Sequence, residues 1–206
     1  LYFILPDKGY PDKPIMAWTQ GETEYNHYWF PCYDYPNDRA TTETIITVPH
    51  PYEVISNGHL AGKKEEPGWV TWHWKQDVSH PVYLVSLVIG EFDTYADQWR
   101  GKPVTYHVPA GRYEASDVLR CLGMTPDMLE WYSEKIGLDY PYAKYAQTLA
   151  WDFIWGGMEN TSATTLYQWA VSPEEGREGL VAHELAHQWF GDHLTCRTWG
   201  EIWLNE

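Results

Sequence analysis

Basic residues are scarce in this chain. Fourteen lysines and arginines face 29 aspartates and glutamates, a formal net charge of −15. That balance removes the electrostatic footing for nucleic acid or for an anionic membrane surface as partner. Cysteine is scarcer still, with three residues at 32, 121 and 196. An odd count without metal-type spacing fits neither a disulfide framework nor a cysteine metal site. Reduced, buried thiols are expected, which leans towards a cytoplasmic protein. No apolar run reaches membrane-spanning length. The N-terminal stretch from Leu1 lacks both an initiator methionine and a basic-then-apolar leader pattern. Internal repeats and low-complexity segments are absent as well.

What the chain has in quantity is aromatic side chains, with 13 Trp and 16 Tyr, and 44% hydrophobic residues overall. The length of 206 residues with that composition supports one large or two small packed domains. So many aromatics would suit a carbohydrate-binding β-domain with stacking platforms. Many of them, however, sit beside apolar residues at strand spacing, and filling a core is the better reading.

Residues 1–95 read as a β-rich domain. Thr42 to Val48 is rich in β-branched residues, and Trp69 to Lys75 alternates with Val70, Trp72 and Trp74 on one face. Glu53 to Ser56 leads into Asn57-Gly58, a hairpin signal. Tyr83 to Ile89 is too apolar for a wet face and reads as a central strand. Gly90 and the polar stretch Glu91 to Lys102 read as the passage to a second unit, 96–206. There Val104 to Val108 is a strand, and Ser116 to Leu122 and Thr125 to Ile136 are helices. The second of these has Thr125 as cap, Pro126 in the first turn and Gly137 as stop. Gln147 to Trp155 reads as a strand ending at Gly156-Gly157.

The most informative stretch is His183-Glu184-Leu185-Ala186-His187, an H-E-x-x-H pattern. Ser172-Pro173-Glu174-Glu175 ahead of it has the features of a helix start, and Gly191 those of a stop. On a helix, His183 and His187 lie one turn apart on one face and can reach a single ion. Glu184 lies about 100° round the axis, where it can take a proton from water instead of binding metal. Two solvated histidines on a surface helix would be the bland alternative. The apolar flanks Leu180, Val181, Ala182, Leu185, Trp189 and Phe190 argue for burial, and buried His and Glu need partners.

A catalytic zinc takes three protein ligands and leaves a place for water. Glu206, separated from His187 by eighteen intervening residues, closes a stretch from Trp199 with helix-like apolar spacing. His193 is the competitor, at the spacing H-E-x-x-H-x-x-G-x-x-H. The glycine of that pattern would fall on Phe190, with Gly191 one place late, so the sharp turn it requires is missing. Glu206 is the preferred third ligand, giving one Zn²⁺ per chain. A metal ligand as the last residue and the missing leader at the start lead us to expect a fragment of a longer protein.

HELAHQWFGD, WLNE ending on Glu206, and GGMEN from Gly156 to Asn160 together resemble the zinc aminopeptidases of the aminopeptidase N and leukotriene hydrolase type, gluzincins of peptidase family M1. The resemblance runs from about Trp18 to Glu206. It implies a saddle-like β-rich N-terminal domain followed by the first part of a thermolysin-like α/β zinc metallopeptidase domain. It also implies peptides with a free N-terminus as substrates. The GGMEN residues Gly156, Gly157, Met158, Glu159 and Asn160 match the exopeptidase motif, whose Glu binds the substrate ammonium. From the residues alone, a glycine turn with a helix-capping Glu159 is an equal reading. Thr19-Gln20-Gly21-Glu22 matches a second motif, whose Gln20 and Glu22 equivalents flank the first substrate residue. Without the resemblance these two are ordinary loop residues. The family's oxyanion-donating tyrosine lies beyond Glu206, so no tyrosine here takes that role.

Three other functions stay open at this stage. They are a metalloendopeptidase, an epoxide hydrolase with aminopeptidase activity of the leukotriene hydrolase type, and a non-catalytic assembly module. On ligand choice the expectation is sharp. Glu206→Ala should lose most of the bound zinc and His193→Ala should keep it, as read by metal analysis of the purified full-length protein. The reverse result would favour the metzincin spacing.

Overall fold

The computed structural model describes residues 1–174 and 176–206. The first part holds β1 (Tyr2–Ile4), β2 (Met16–Trp18), β3 (Arg39–Pro49), β4 (Glu53–Ser56), β5 (His59–Glu66), β6 (Trp69–Pro81) and β7 (Leu87–Gly90). Then follow β8 (Phe92–Trp99), β9 (Lys102–Pro109), α1 (Ala115–Leu122) and α2 (Thr125–Ile136). The last part holds β10 (Tyr145–Ala150), β11 (Gly157–Met158), β12 (Ala163–Tyr167) and α3 (Glu178–Ala186). The strands form three sheets, ordered β1-β2-β7-β4, β3-β6-β5 and β11-β12-β10-β9-β8. A β-rich N-terminal domain thus leads into the start of an α/β domain.

Alternation explains the β-rich part. Along β6, Val70, Trp72, Trp74 and Gln76 are buried while their neighbours are wetter. In β10 all six residues are buried, because it is flanked by parallel β9 and β12 and covered on both faces. One apolar cluster joins Trp18, Trp72, Trp74 and Leu84 of the first part to Ala146, Ala150, Phe153 and Met158 of the second. Another packs Val118, Leu122, Leu129, Val181, Leu185 and Trp189 against the parallel strands. Buried tyrosines line this second core, with Tyr140 5.7 Å from Trp189 between ring centroids. Trp189 satisfies its indole N–H by donating to the Leu138 carbonyl at 2.9 Å.

Several local expectations give way to tertiary context. Asn57-Gly58 does not close a hairpin, since β4 pairs with β7 and β5 with β6. The turn, with Gly58 at φ +76°, instead passes the chain from one sheet to the next. Glu91 to Lys102 is no linker: it supplies β8, which forms a hairpin with β9 through Arg100-Gly101. Tyr83 to Ile89 is a strand only from Leu87, following a 3₁₀ turn at Val82–Leu84, although β7 is central as expected. β10 stops at Ala150, before Asp152 at φ +60°, whose carboxylate is drawn to Lys13 at 2.7 Å. Thr125 does not cap α2; its hydroxyl donates to the Leu122 carbonyl, while Gly137 at φ +74° ends the helix as expected. The zinc-motif helix starts at Glu178 and not at Ser172-Pro173-Glu174-Glu175, where Glu175 lies outside the described residues. Gly176, just ahead of that start, weakens helix initiation. In place of the helix expected from Trp199 to Glu206, Trp199–Leu204 forms 3₁₀ turns kinked at Glu201.

A buried polar seam joins the two parts. The Asn57 side chain donates to the carbonyls of Leu84 and Thr161 at 2.9 and 2.8 Å and accepts from the Ser86 N–H at 2.8 Å. Lys144 Nζ donates to the carbonyls of Ser56 and Ser162 at 2.9 Å each and lies 5.0 Å from the centre of the Trp74 ring. Asn57→Ala strands three buried backbone groups at about 1–3 kcal/mol each. We expect it to lower unfolding free energy by about 3 kcal/mol or more, read as a drop in denaturant midpoint at unchanged m-value. A loss within about 0.5 kcal/mol would remove Asn57 from the list of seam anchors.

Candidate metal and substrate site

The two histidines of the motif occupy the end of α3 and the turn after it. The apolar side of α3, Val181 and Leu185, is buried in the core, which turns His187 and Glu184 towards a cavity. The ring of His187 is oriented by its Nδ1, which donates to the Phe190 carbonyl at 3.0 Å and leaves the Nε2 lone pair facing the cavity. His187 Nε2 stands 3.1 Å from His183 Nε2. Glu206 Oε2 lies 3.6 Å from the first of these nitrogens and 3.8 Å from the second. Ligands about 2.0–2.1 Å from a tetrahedral zinc are about 3.3 Å apart, so this donor set fits that ion. His193 stays outside the cluster and lines a separate surface cleft with Arg39 and Thr195.

Glu206 arrives there through its neighbour. Asn205 is buried, accepts from the Cys196 N–H at 2.8 Å and donates to the Tyr83 hydroxyl at 3.1 Å. Its place inside WLNE was visible in the sequence, but its anchoring function was not. Glu22 is delivered by the loop after β2. Gly21 presses against the chain so closely that a Cβ there would lie 2.1 Å from the Tyr83 carbonyl oxygen. Thr19 extends the β2–β7 ladder, accepting from the Leu87 N–H at 3.0 Å. Gln20 then crosses to the other part of the molecule, its Nε2 3.1 Å from the Met158 sulfur.

These segments enclose a cavity of about 170 Å³ lined by Gln20, Glu22, Trp155, Gly157, Met158, Glu159, His183, Glu184, His187 and Glu206. Gly156 and Asn160 are not on its wall. Gly156, at φ +82°, gives its carbonyl to the Tyr167 N–H, and the buried Asn160 amide donates to Thr165 Oγ1 at 3.0 Å. They shape the turn on either side of the lining residues. Trp155 was not singled out in the sequence; its exposed ring forms a wall braced by Tyr2, Trp18 and Phe153.

Carboxyl groups dominate the lining of this cavity, and among the described residues no lysine or arginine lines it. Burial, then Glu159, Glu206 and Glu22, push the Glu184 carboxyl up to about 9. Glu22 is raised by burial and by Glu159 and Glu206, with His187 opposing, and Glu159 is raised by burial and by Glu206. Burial and the neighbouring His187 lower His183, which keeps its nitrogen available as a ligand. Positive charge entering the cavity would draw Glu22, Glu159 and Glu184 back towards ionisation.

Two family models match the chain: the Peptidase M1 N-terminal domain over residues 6–84 and the Peptidase family M1 domain over 120–206. The chain belongs to peptidase family M1. Leucyl aminopeptidase of Saccharolobus solfataricus is 28% identical over 96% of this chain and 26% of its own length. Human glutamyl aminopeptidase is 31% identical over 94% of this chain and 21% of its own. The chain therefore spans about a quarter of the curated relatives it matches. A two-domain M1 zinc metallopeptidase solved as a mutant with L-arginine superposes with a TM-score of 0.80 at 27% identity, covering 99% of this chain and 48% of that one. The M1 family implies zinc, and among the described residues two groups sharing Glu206 could hold a metal ion, His183–His187–Glu206 and Glu22–Glu159–Glu206, of which the first has the imidazole donors zinc prefers.

Within the M1 site, Gly157 packs directly against the Glu184 side chain. A Cβ at 157 would lie 2.0 Å from Glu184 Oε1 and 2.2 Å from its Cδ. The obstructing group is the end of a flexible side chain, so it can move. Gly157→Ala should leave the fold standing and turn Glu184 into another rotamer, which a crystal structure of the variant reads directly. An unmoved Glu184 carboxyl would show that the strand yields instead.

Proposed function

We propose that the protein is a zinc-dependent aminopeptidase that removes the N-terminal residue of peptides. The observation that carries this reading is the meeting of the His183–His187–Glu206 cluster with Glu22 and Glu159 in one small cavity. The family membership and the aminopeptidase names of the relatives support it. In this reading the β-rich part, 1–95, contributes Gln20 and Glu22, and the part from 96 onward contributes the rest. Zinc held by His183, His187 and Glu206 supplies a Lewis acid that polarises a peptide carbonyl and lowers the pKa of water towards about 7.

The chain's own groups do the rest. Glu184 accepts a proton on a carboxylate oxygen from the attacking water and passes it to the departing amine nitrogen. Glu159 and Glu22 accept hydrogen bonds from the substrate α-ammonium, with Gln20 alongside. β11 is an edge strand, so the backbone at Gly157–Met158 can pair with an extended peptide. The carboxylates accept only a free ammonium, and this limits cleavage to the first residue.

Glu184→Gln should keep zinc and fold but lose several orders of magnitude in kcat, since the proton acceptor is gone. Glu159→Ala and Glu22→Ala should each cost about ten- to a hundred-fold in kcat/KM on free peptides, the worth of a charge-assisted contact. Glu159, more deeply buried, should cost more. Matched free and N-acetylated peptides on the zinc-loaded full-length enzyme, followed by mass spectrometry, test the reading as a whole. Only the free peptide should be cut. Internal cleavage of the acetylated peptide at a comparable rate would make the protein an endopeptidase.

A further inference from the structure

Gln188 directly follows His187, and its side chain is fully buried. Its carboxamide spans two parts of the site. Oε1 accepts from the Ser162 N–H at 2.8 Å and lies 3.4 Å from the Tyr140 hydroxyl. Nε2 donates to the main-chain carbonyl of Glu159 at 2.8 Å. One amide thus clips the chain just after the H-E-x-x-H helix to both ends of the turn from Glu159 to Ser162. That turn is closed on itself by the Ala163 N–H donating to the Asn160 carbonyl at 2.8 Å. Asn57 and Lys144 hold the same turn, at the carbonyls of Thr161 and Ser162, from the β-rich part and from the start of β10. Gln188 ties it to the element that carries the metal ligands.

The chemistry of an amide suits this place. It is uncharged, so it adds nothing to the repulsion among the nearby carboxyls. It offers a donor to a carbonyl and an acceptor to an N–H in a fixed plane. Both bonds are buried, so neither partner can turn to water if the amide is lost.

We propose that Gln188 is a positioning residue that sets the distance between the Glu159 carboxylate and the metal cluster, and hence the register of the first peptide bond. This inference rests on the aminopeptidase reading. If the ammonium is held by Glu159 and the carbonyl must reach the His183–His187–Glu206 cluster, the separation of those two points selects an α-amino acid. A substrate with an N-terminal β-amino acid inserts one more methylene between ammonium and carbonyl and reads that separation directly.

The test compares alanyl and β-alanyl peptides of the same sequence on the zinc-loaded full-length enzyme and on Gln188→Met and Gln188→Glu. Met keeps the shape and removes the hydrogen bonds to Ser162, Tyr140 and Glu159. Glu keeps an acceptor for Ser162 and sets an oxygen against the Glu159 carbonyl, so it stands in if the Met variant fails to fold. The wild type should prefer the alanyl peptide strongly. Each variant should keep one zinc per chain and lose about ten- to a hundred-fold on the alanyl peptide, mostly in kcat, because the carbonyl is misplaced by a fraction of an ångström or more. The β-alanyl peptide should lose much less, so the ratio between the two narrows. Folded, zinc-replete variants that lose both substrates equally, or keep the wild-type ratio, would overturn the positioning role and leave the aminopeptidase reading standing. A wild type that does not distinguish the two free peptides would overturn the positioning role alone, and one that cuts the acetylated peptide internally at a comparable rate would overturn both.

Discussion

Four carboxyl groups, Glu22, Glu159, Glu184 and Glu206, converge from four separated stretches of chain on a cavity that no lysine or arginine lines among the described residues. Like charges so placed repel, and for Glu22, Glu159 and Glu184 burial removes much of the water that would screen the repulsion, while Glu206 stays exposed. In the cavity wall His187 works against this, at Glu22. The arrangement is stable only if the surrounding scaffold is rigid enough to hold it, and it is useful only if positive charge enters. A divalent ion against two imidazoles and one carboxylate, with an ammonium against two others, meets that need in the proposed function.

Rigidity comes from two sources of different character. Below the zinc-motif helix an apolar core of Val181, Leu185 and Trp189 fixes the rotation of the helix, which decides that His187 and Glu184 face the cavity. Around the other carboxylates the scaffold is polar. Asn57, Lys144 and Gln188 hold the segment from Glu159 to Ser162, Asn205 holds the end of the chain, and Thr19 with Gly21 hold the loop of Glu22. Apolar packing tolerates small slips, whereas a hydrogen bond does not, and the distances that matter to an ammonium and a carbonyl are of that finer kind. The close fit of Gly157 against Glu184 belongs with this group, because a single Cβ would already collide.

The local mistakes of sequence reading have physical causes. Asn57-Gly58 has hairpin chemistry, but its strands found better partners in different sheets. Glu91 to Lys102 is polar because β8 is an edge strand with one wet face, not because it is a linker. Ser172-Pro173 looked like a helix start, yet the helix begins after Gly176. In the first two cases a short-range preference worth about a kilocalorie was overridden by strand pairing and packing worth several, and in the third a competing local preference, glycine, set the start.

By itself the sequence determined the chemistry available: two imidazoles one helical turn apart, a glutamate between them, a further carboxylate at Glu206 and glycines ahead of Glu159. Helical spacing is local geometry, so the pairing of His183 with His187 could be read from four positions of sequence. That Glu206 rather than His193 joins them rested on one misplaced glycine, again a local argument. Tertiary structure alone decided that Gln20 and Glu22 stand beside Met158 and Glu159, nearly 140 positions away, because that contact exists only once the β-rich part has docked on the parallel sheet. It also decided the roles of Asn57, Gln188, Asn205 and Trp155. Their residue types are ordinary, and only the groups they meet in the folded chain give them a function.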